Sequence, residues 1–111
     1  MDLRRVLFAS VGLICLGGMP AAAQGLTDLH DKVRVGNKVC FSDHYHDGSS
    51  SGHKSRDAAE AAAVKTWQEF TAWEYGAAWG NFWIAANRGV KCDQSGGSWG
   101  CNVQAKACRR R

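Results

Sequence analysis

The stretch VKCDQSGGSWGCNVQAKAC, residues 90–108, holds three of the four cysteines that follow Ala23. Gly96-Gly97 supplies a two-residue hairpin turn between two strand-like runs. Counting outward from it, Ser95 faces Ser98, Gln94 faces Trp99, Asp93 faces Gly100 and Cys92 faces Cys101. The first pair is hydrogen-bonded, which makes the cysteines a non-hydrogen-bonded pair. Such pairs have Cα atoms about 4.5 Å apart, a separation that a disulfide bridges. The register therefore predicts Cys92–Cys101.

Cys40 and Cys108 remain. Cys40 lies near the start of an alternating run, Lys38–Asp47, and Cys108 ends the last strand. If those two strands are antiparallel neighbours, the cysteines meet. The strand order is then first-third-second, with a helix crossing one face as a split β-α-β unit. The other two pairings of four cysteines stay open on sequence alone. A structural zinc site would want closely spaced CxxC pairs, and the chain has none.

Between these strands lies RDAAEAAAVKTWQEFTAWEYGAAWGNFWIAANRG, Ala-rich and free of Pro. Ser55 is placed as an N-cap, with Asp57 in the first turn. Arg88 and Gly89 stand where a helix end and its C′ residue belong. The pattern predicts a helix over 56–88, roughly 50 Å long at 1.5 Å per residue, with Gly76 and Gly80 as kink points. Ala59, Ala62, Ala63, Thr66, Phe70, Trp73, Ala77 and Ile84 fall on one stripe, the expected core face. GSSSG (48–52) reads as a flexible loop, and VRVGNKVC as a small hairpin about Gly36-Asn37.

Residues 1–23 read as a secretory signal peptide. Arg4 and Arg5 form a basic start, Val6–Gly18 a short apolar run, and Ala21-Ala22-Ala23 a small-residue cleavage site. Residues 24–37 follow as an extension, 38–108 as one domain and 109–111 as a basic tail. No other stretch is apolar enough to span a membrane. A chain this short buries a modest core, and an even cysteine count in an exported domain implies two disulfides that reinforce it. Periplasm or extracellular space is the expected location.

The net charge is +4, too mild to mark a nucleic-acid binder by itself. With no Leu after Leu29 and one Ile beyond Ala23, Ala and aromatics must supply most of the core. Phe41, Trp67, Phe70 and Trp73 are assigned to it. Trp79, Trp83 and Trp99 are the candidates for an exposed interaction surface.

In CFSDHYHDGSSSGHKS, residues 40–55, His44 and His46 are two apart on a strand and project from one face. An HxH pair is a metal-site element when a third ligand converges. His53, seven residues further on, completes the candidate set for a divalent metal. The bland alternative is a row of polar residues on the open face of a sheet. Ser49–Ser51 beside His46 and Asp47 lack the fixed geometry of a nucleophilic site.

Part of the chain, GSSSGHKSRDAAEAAAVKTW, resembles the strand–loop–helix of double-stranded RNA-binding domains. Asp57 and Glu60 stand where that family needs positive charge, and a hairpin follows the helix. Residues 40–108 resemble a group of small exported hypothetical proteins of alpha-proteobacteria. The shared features are Cys40, Asp43–His46, the Gly/Ser run Gly48–Gly52, and the helix motif Trp67, Phe70, Thr71, Glu74, Tyr75 and Gly76. The terminal hairpin adds Cys92, Trp99, Cys101 and Cys108. The resemblance implies export and a disulfide framework and carries no function with it.

The sequence thus describes an α+β domain: a small three-stranded antiparallel or mixed sheet on one long Ala/Trp-rich helix, with two disulfides. The expected role is non-enzymatic, binding a protein or envelope component through the aromatic helix surface, with self-association as one form of it. A periplasmic metal-binding protein using His44 and His46 is the alternative, and a small hydrolase the second.

Overall fold

The computed structural model describes residues 26–111; the signal-peptide reading of residues 1–23 lies outside them. The elements run β1 (Lys32–Val35), β2 (Lys38–Phe41), β3 (His46–Ser49), α1 (Arg56–Tyr75), β4 (Ala86–Ser95), β5 (Ser98–Lys106) and β6 (Cys108–Arg110), with 3₁₀ turns at Ala77–Trp79 and Phe82–Ile84 before β4. The strands form two antiparallel sheets, ordered β1-β2-β6 and β3-β5-β4. The fold is α+β, one long helix on three-stranded sheets.

The hairpin register is as the turn dictated: Ser95 pairs Ser98 and Cys92 pairs Cys101. The disulfide Cys92–Cys101 closes there with Cα atoms 4.1 Å apart. Cys40 pairs Cys108 across β2 and β6, and their disulfide has Cα atoms 4.0 Å apart. The larger sheet also realises the first-third-second order, with the C-terminal strand in the middle.

Where one strand was expected over Lys38–Asp47, there are two. The chain leaves β2 after Phe41 and re-enters a different sheet at His46. Its partner breaks at the same level, Ala107 separating β5 from β6, and the Phe41 N–H donates to the Ala107 carbonyl across the join at 3.0 Å. Ser42 is held outside the ladder: its N–H donates to the Asp31 carbonyl, and its own carbonyl accepts from Lys106 Nζ at 2.7 Å. Gly48 and Ser49, expected in a flexible loop, belong to β3. The reason is packing. A Cβ on Gly48 would lie 2.7 Å from Trp67 N and 2.8 Å from Trp67 Cβ, so only glycine lets the strand approach the helix this closely.

Helix α1 begins as expected: the Ser55 hydroxyl accepts from the Ala58 N–H at 3.1 Å. It ends twelve to thirteen residues earlier than the composition suggested, roughly 30 Å long at 1.5 Å per residue. Gly76 takes φ +105° and donates its N–H to the Ala72 carbonyl at 2.8 Å, a backbone state that an L side chain rarely adopts. Asn81 then caps the second 3₁₀ turn through Trp83 N–H, and the Gln68 side chain accepts from Phe82 N–H. Arg88 and Gly89 lie in β4, next to a bulge at which Asn87 has φ +54°.

The buried face also differs from the expected one. The buried helix residues are Ala59, Ala63, Trp67, Thr71 and Tyr75, a row at four-residue spacing, with Val64 beside it. The stripe drawn through Phe70, Trp73, Ala77 and Ile84 was fitted to a helix that does not continue. Phe70 and Trp73, assigned to the core, are 44% and 79% exposed, whereas Trp79 is 6% exposed and packs flat on Phe41 at 4.7 Å. The core is Phe41, Trp67, Tyr75, Trp79, Phe82, Val103 and the small residues Ala59, Ala63 and Ala105. Among the described residues no helix is long and apolar enough to cross a membrane.

Candidate metal centre

The break between β2 and β3 and the last turn of α1 converge on one place. Trp67 fixes the start of β3, its indole N–H donating to the His46 carbonyl at 2.8 Å. That anchors the His46 ring over the helix end, where residues four and three apart share a face. Thr71 Oγ1 lies 2.8 Å from His46 Nδ1, and Glu74 Oε1 lies 3.2 Å from Nε2. The Tyr75 ring stacks on His46 at 4.8 Å, and Phe70 leans on it at 5.1 Å. His46 is buried, at 4% exposure.

His44 reaches the same point from the Ser42–Tyr45 crossing, its ring 5.2 Å from that of His46. The ligand atoms of His44, His46 and Glu74 all lie within 4.8 Å of one another. Donors at 2.0–2.1 Å around a tetrahedral ion stand about 3.4 Å apart, so the set closes on an ion with modest ring and carboxylate rotation. His30, which precedes β1, stacks on the outer side of His44 at 4.0 Å.

The electrostatics favour the ligating form. Burial lowers the affinity of His46 for a proton, opposed in part by the Glu74 carboxylate. A neutral imidazole has one N–H. If the Thr71 hydroxyl donates to Nδ1, Nε2–H donates to Glu74 and the triad closes on itself. If Nδ1–H donates to Thr71, the Nε2 lone pair faces the carboxylate, and a cation between them satisfies both. The same side chains support either arrangement. Beside them the buried Tyr75 hydroxyl makes no hydrogen bond of good geometry, with the Glu74 carboxylate as its near neighbour. Burial, and then the adjacent Glu74, hold its phenol protonated well above the usual range.

Of the residues singled out in the sequence, His44 and His46 come together and His53 stands apart from their group. Its backbone pairs with Trp99 in an isolated bridge, with N···O distances of 3.0 and 2.7 Å. Glu74 and His30 are the residues that sequence reasoning missed. Glu74 had a legible signal: it follows Trp67 and Thr71 at seven and three residues, on the face that the helix buries. His30 had none. Of the proposed aromatic surface, Trp79 is core, Trp99 is half-buried and Trp83 is 58% exposed with the Arg88 guanidinium over it.

The chain matches no family model, no curated protein and no solved structure.

Proposed function

We propose that the chain is an exported binding protein for a divalent transition metal, held by His44 Nδ1 or Nε2, His46 Nε2 and a Glu74 oxygen. The carrying observation is the convergence of those three donors from the crossing, β3 and α1. Imidazole and carboxylate together suit Zn²⁺, Cu²⁺ and Ni²⁺, with Cu²⁺ the tightest by the general order. Thr71 orients the His46 ring from behind, as outer partners of ligating histidines do. Three protein ligands leave a fourth position open. The two disulfides suit the same oxidising compartment outside the cytoplasm.

The test is calorimetric titration of the oxidised protein with Zn²⁺ and Cu²⁺. One equivalent should bind, and His44→Ala and Glu74→Gln should each weaken it by at least about tenfold. Both side chains are partly exposed, so the variants are expected to fold. Absence of stoichiometric binding, or equal affinity in the variants, would leave His46 as the centre of a closed structural triad.

A second reading is carried by Trp73, 79% exposed and stacked on Phe70 at 6.3 Å. An exposed aromatic pair on a helix suits capture of a protein or envelope partner, or self-association. Concentration-dependent sedimentation that Trp73→Ala abolishes would support it; a monomer at all concentrations that binds no envelope fraction would not.

A further inference from the structure

The three C-terminal arginines are not a loose tail. Arg109 and Arg110 form the last strand with Cys108, and the Arg111 N–H donates to the Asn37 carbonyl at 3.0 Å. The β1–β2 hairpin alongside contributes its own cations. One ladder row reads Arg34, Val39, Arg109, and the next reads Val35, Lys38, Arg110. Neighbouring strands lie about 4.8 Å apart. The backbones of Arg34, Lys38, Arg109, Arg110 and Arg111 are therefore gathered around the Gly36-Asn37 turn across about 10 Å of sheet, with Arg34 and Arg109 on one face and Lys38 and Arg110 on the other; the Lys38 ammonium donates to the Ile84 carbonyl at 3.0 Å and the Arg109 guanidinium lies over the Trp79 ring at 5.7 Å. Among the described residues none of the five forms an ion pair with a carboxylate; the ion pairs present involve Lys32, His46 and Lys65. Val33 and Val35, in the same hairpin, are 47% and 46% exposed.

Like charges gathered this closely repel, and the fold holds them together through the Cys40–Cys108 disulfide one row away. We propose that this end of the β1-β2-β6 sheet docks on an anionic bilayer surface. With the Gly36-Asn37 turn leading, cations from both faces of this sheet end meet the phosphate head groups, and juxtaposed basic residues draw a protein to such a surface additively. The two exposed valines distinguish a bilayer from a soluble polyanion. They offer aliphatic surface that gains from shallow burial among acyl chains and gains nothing from free phosphate. The end is separate from the histidine site, and its docking does not depend on metal.

The experiment is vesicle co-sedimentation of the oxidised protein with phosphatidylcholine vesicles, with and without phosphatidylglycerol. Binding is expected only with phosphatidylglycerol, and it should weaken as salt rises. Arg109→Gln/Arg110→Gln/Arg111→Gln, which leaves both disulfides intact, should cut partitioning on the order of 100-fold, taking roughly fivefold per cation. Val33→Ser/Val35→Ser should cut it severalfold without removing charge. The control Lys54→Gln/Arg56→Gln/Lys65→Gln removes as much charge from the loop before α1 and from α1 itself, and should have a much smaller effect. Four results would overturn the proposal: no binding to the anionic vesicles, equal binding to both kinds, equal loss in the control, or no effect of the valine changes. Release by millimolar inorganic phosphate at constant ionic strength would also overturn it, since a single-anion site would then suffice.

Discussion

The two sheets share no strand, although two runs of chain, Lys38–Ser49 and Ser98–Arg110, pass from one to the other, and they are held by different forces. The β3-β5-β4 sheet carries the helix: Ala59, Ala63 and Trp67 meet Cys101, Val103 and Ala105 in one buried cluster. The β1-β2-β6 sheet contributes Phe41 and the partly buried Val39 to that cluster, while β1 is exposed along its whole length. Apolar burial drives the first, at roughly 25 cal/mol per Å² removed from water. The second has little area to bury and relies on its disulfide. A short chain thus divides its stability between a packed layer and a covalent one, and the histidine site sits at the joint, taking His44 from the crossing, His46 from the start of β3 and Glu74 from the helix.

The packed side should break hardest at Trp67. It is fully buried, its ring meets Phe82 edge-on at 5.3 Å, and its indole N–H holds the His46 carbonyl. Trp67→Ala should cost about 3–5 kcal/mol, and the orphaned carbonyl adds to that. Denaturant melts should show the loss, and the histidine site should lose its shape with it.

On the covalent side the two disulfides should differ. In the chain-entropy account a crosslink stabilises more the longer the loop it closes. Cys40–Cys108 spans a sequence separation of 68 and Cys92–Cys101 one of 9. The expected losses on double Cys→Ala replacement are about 4.4 and about 2.6 kcal/mol respectively. Hydrogen exchange sharpens the contrast. Without Cys40–Cys108, amides of β1, β2 and β6 should lose protection while β4 and β5 keep theirs; without Cys92–Cys101 the helix-backed sheet should stay protected. Equal losses would mean that the smaller sheet is held by packing after all.

How far the sequence showed this follows from where local rules suffice. A two-residue turn fixes every pair in a hairpin, so Cys92–Cys101 could be counted out from Gly96-Gly97, and Cys40–Cys108 then followed from topology. The end of α1 was not countable in that way. GAAWGNFWIAANRG has the composition of a helix, and what stops it is Gly76 at positive φ, together with the hydrogen bond from Phe82 N–H back to the Gln68 side chain and the local Asn81 cap on Trp83 N–H. Local propensity yields to such contacts. The site was half legible for the same reason. His44 and His46 are neighbours in sequence, but Glu74 joins them only when the helix phase is known, and that phase was drawn through the wrong aromatics.

The phase can be tested directly on the helix. Trp73 and Trp67 lie six residues apart on α1 and are alike in chemistry, but one is 79% exposed and the other is at 0%. A surface substitution away from caps and networks stays within about 0.5 kcal/mol. Trp73 contacts Phe70, itself 44% exposed, so Trp73→Ala forfeits one half-solvated stacking contact and should leave the melting midpoint almost unchanged. The same variant reads the aromatic-surface proposal through sedimentation, because loss of association at constant stability isolates binding from folding. A loss of several kcal/mol would instead place Trp73 in a buried interface.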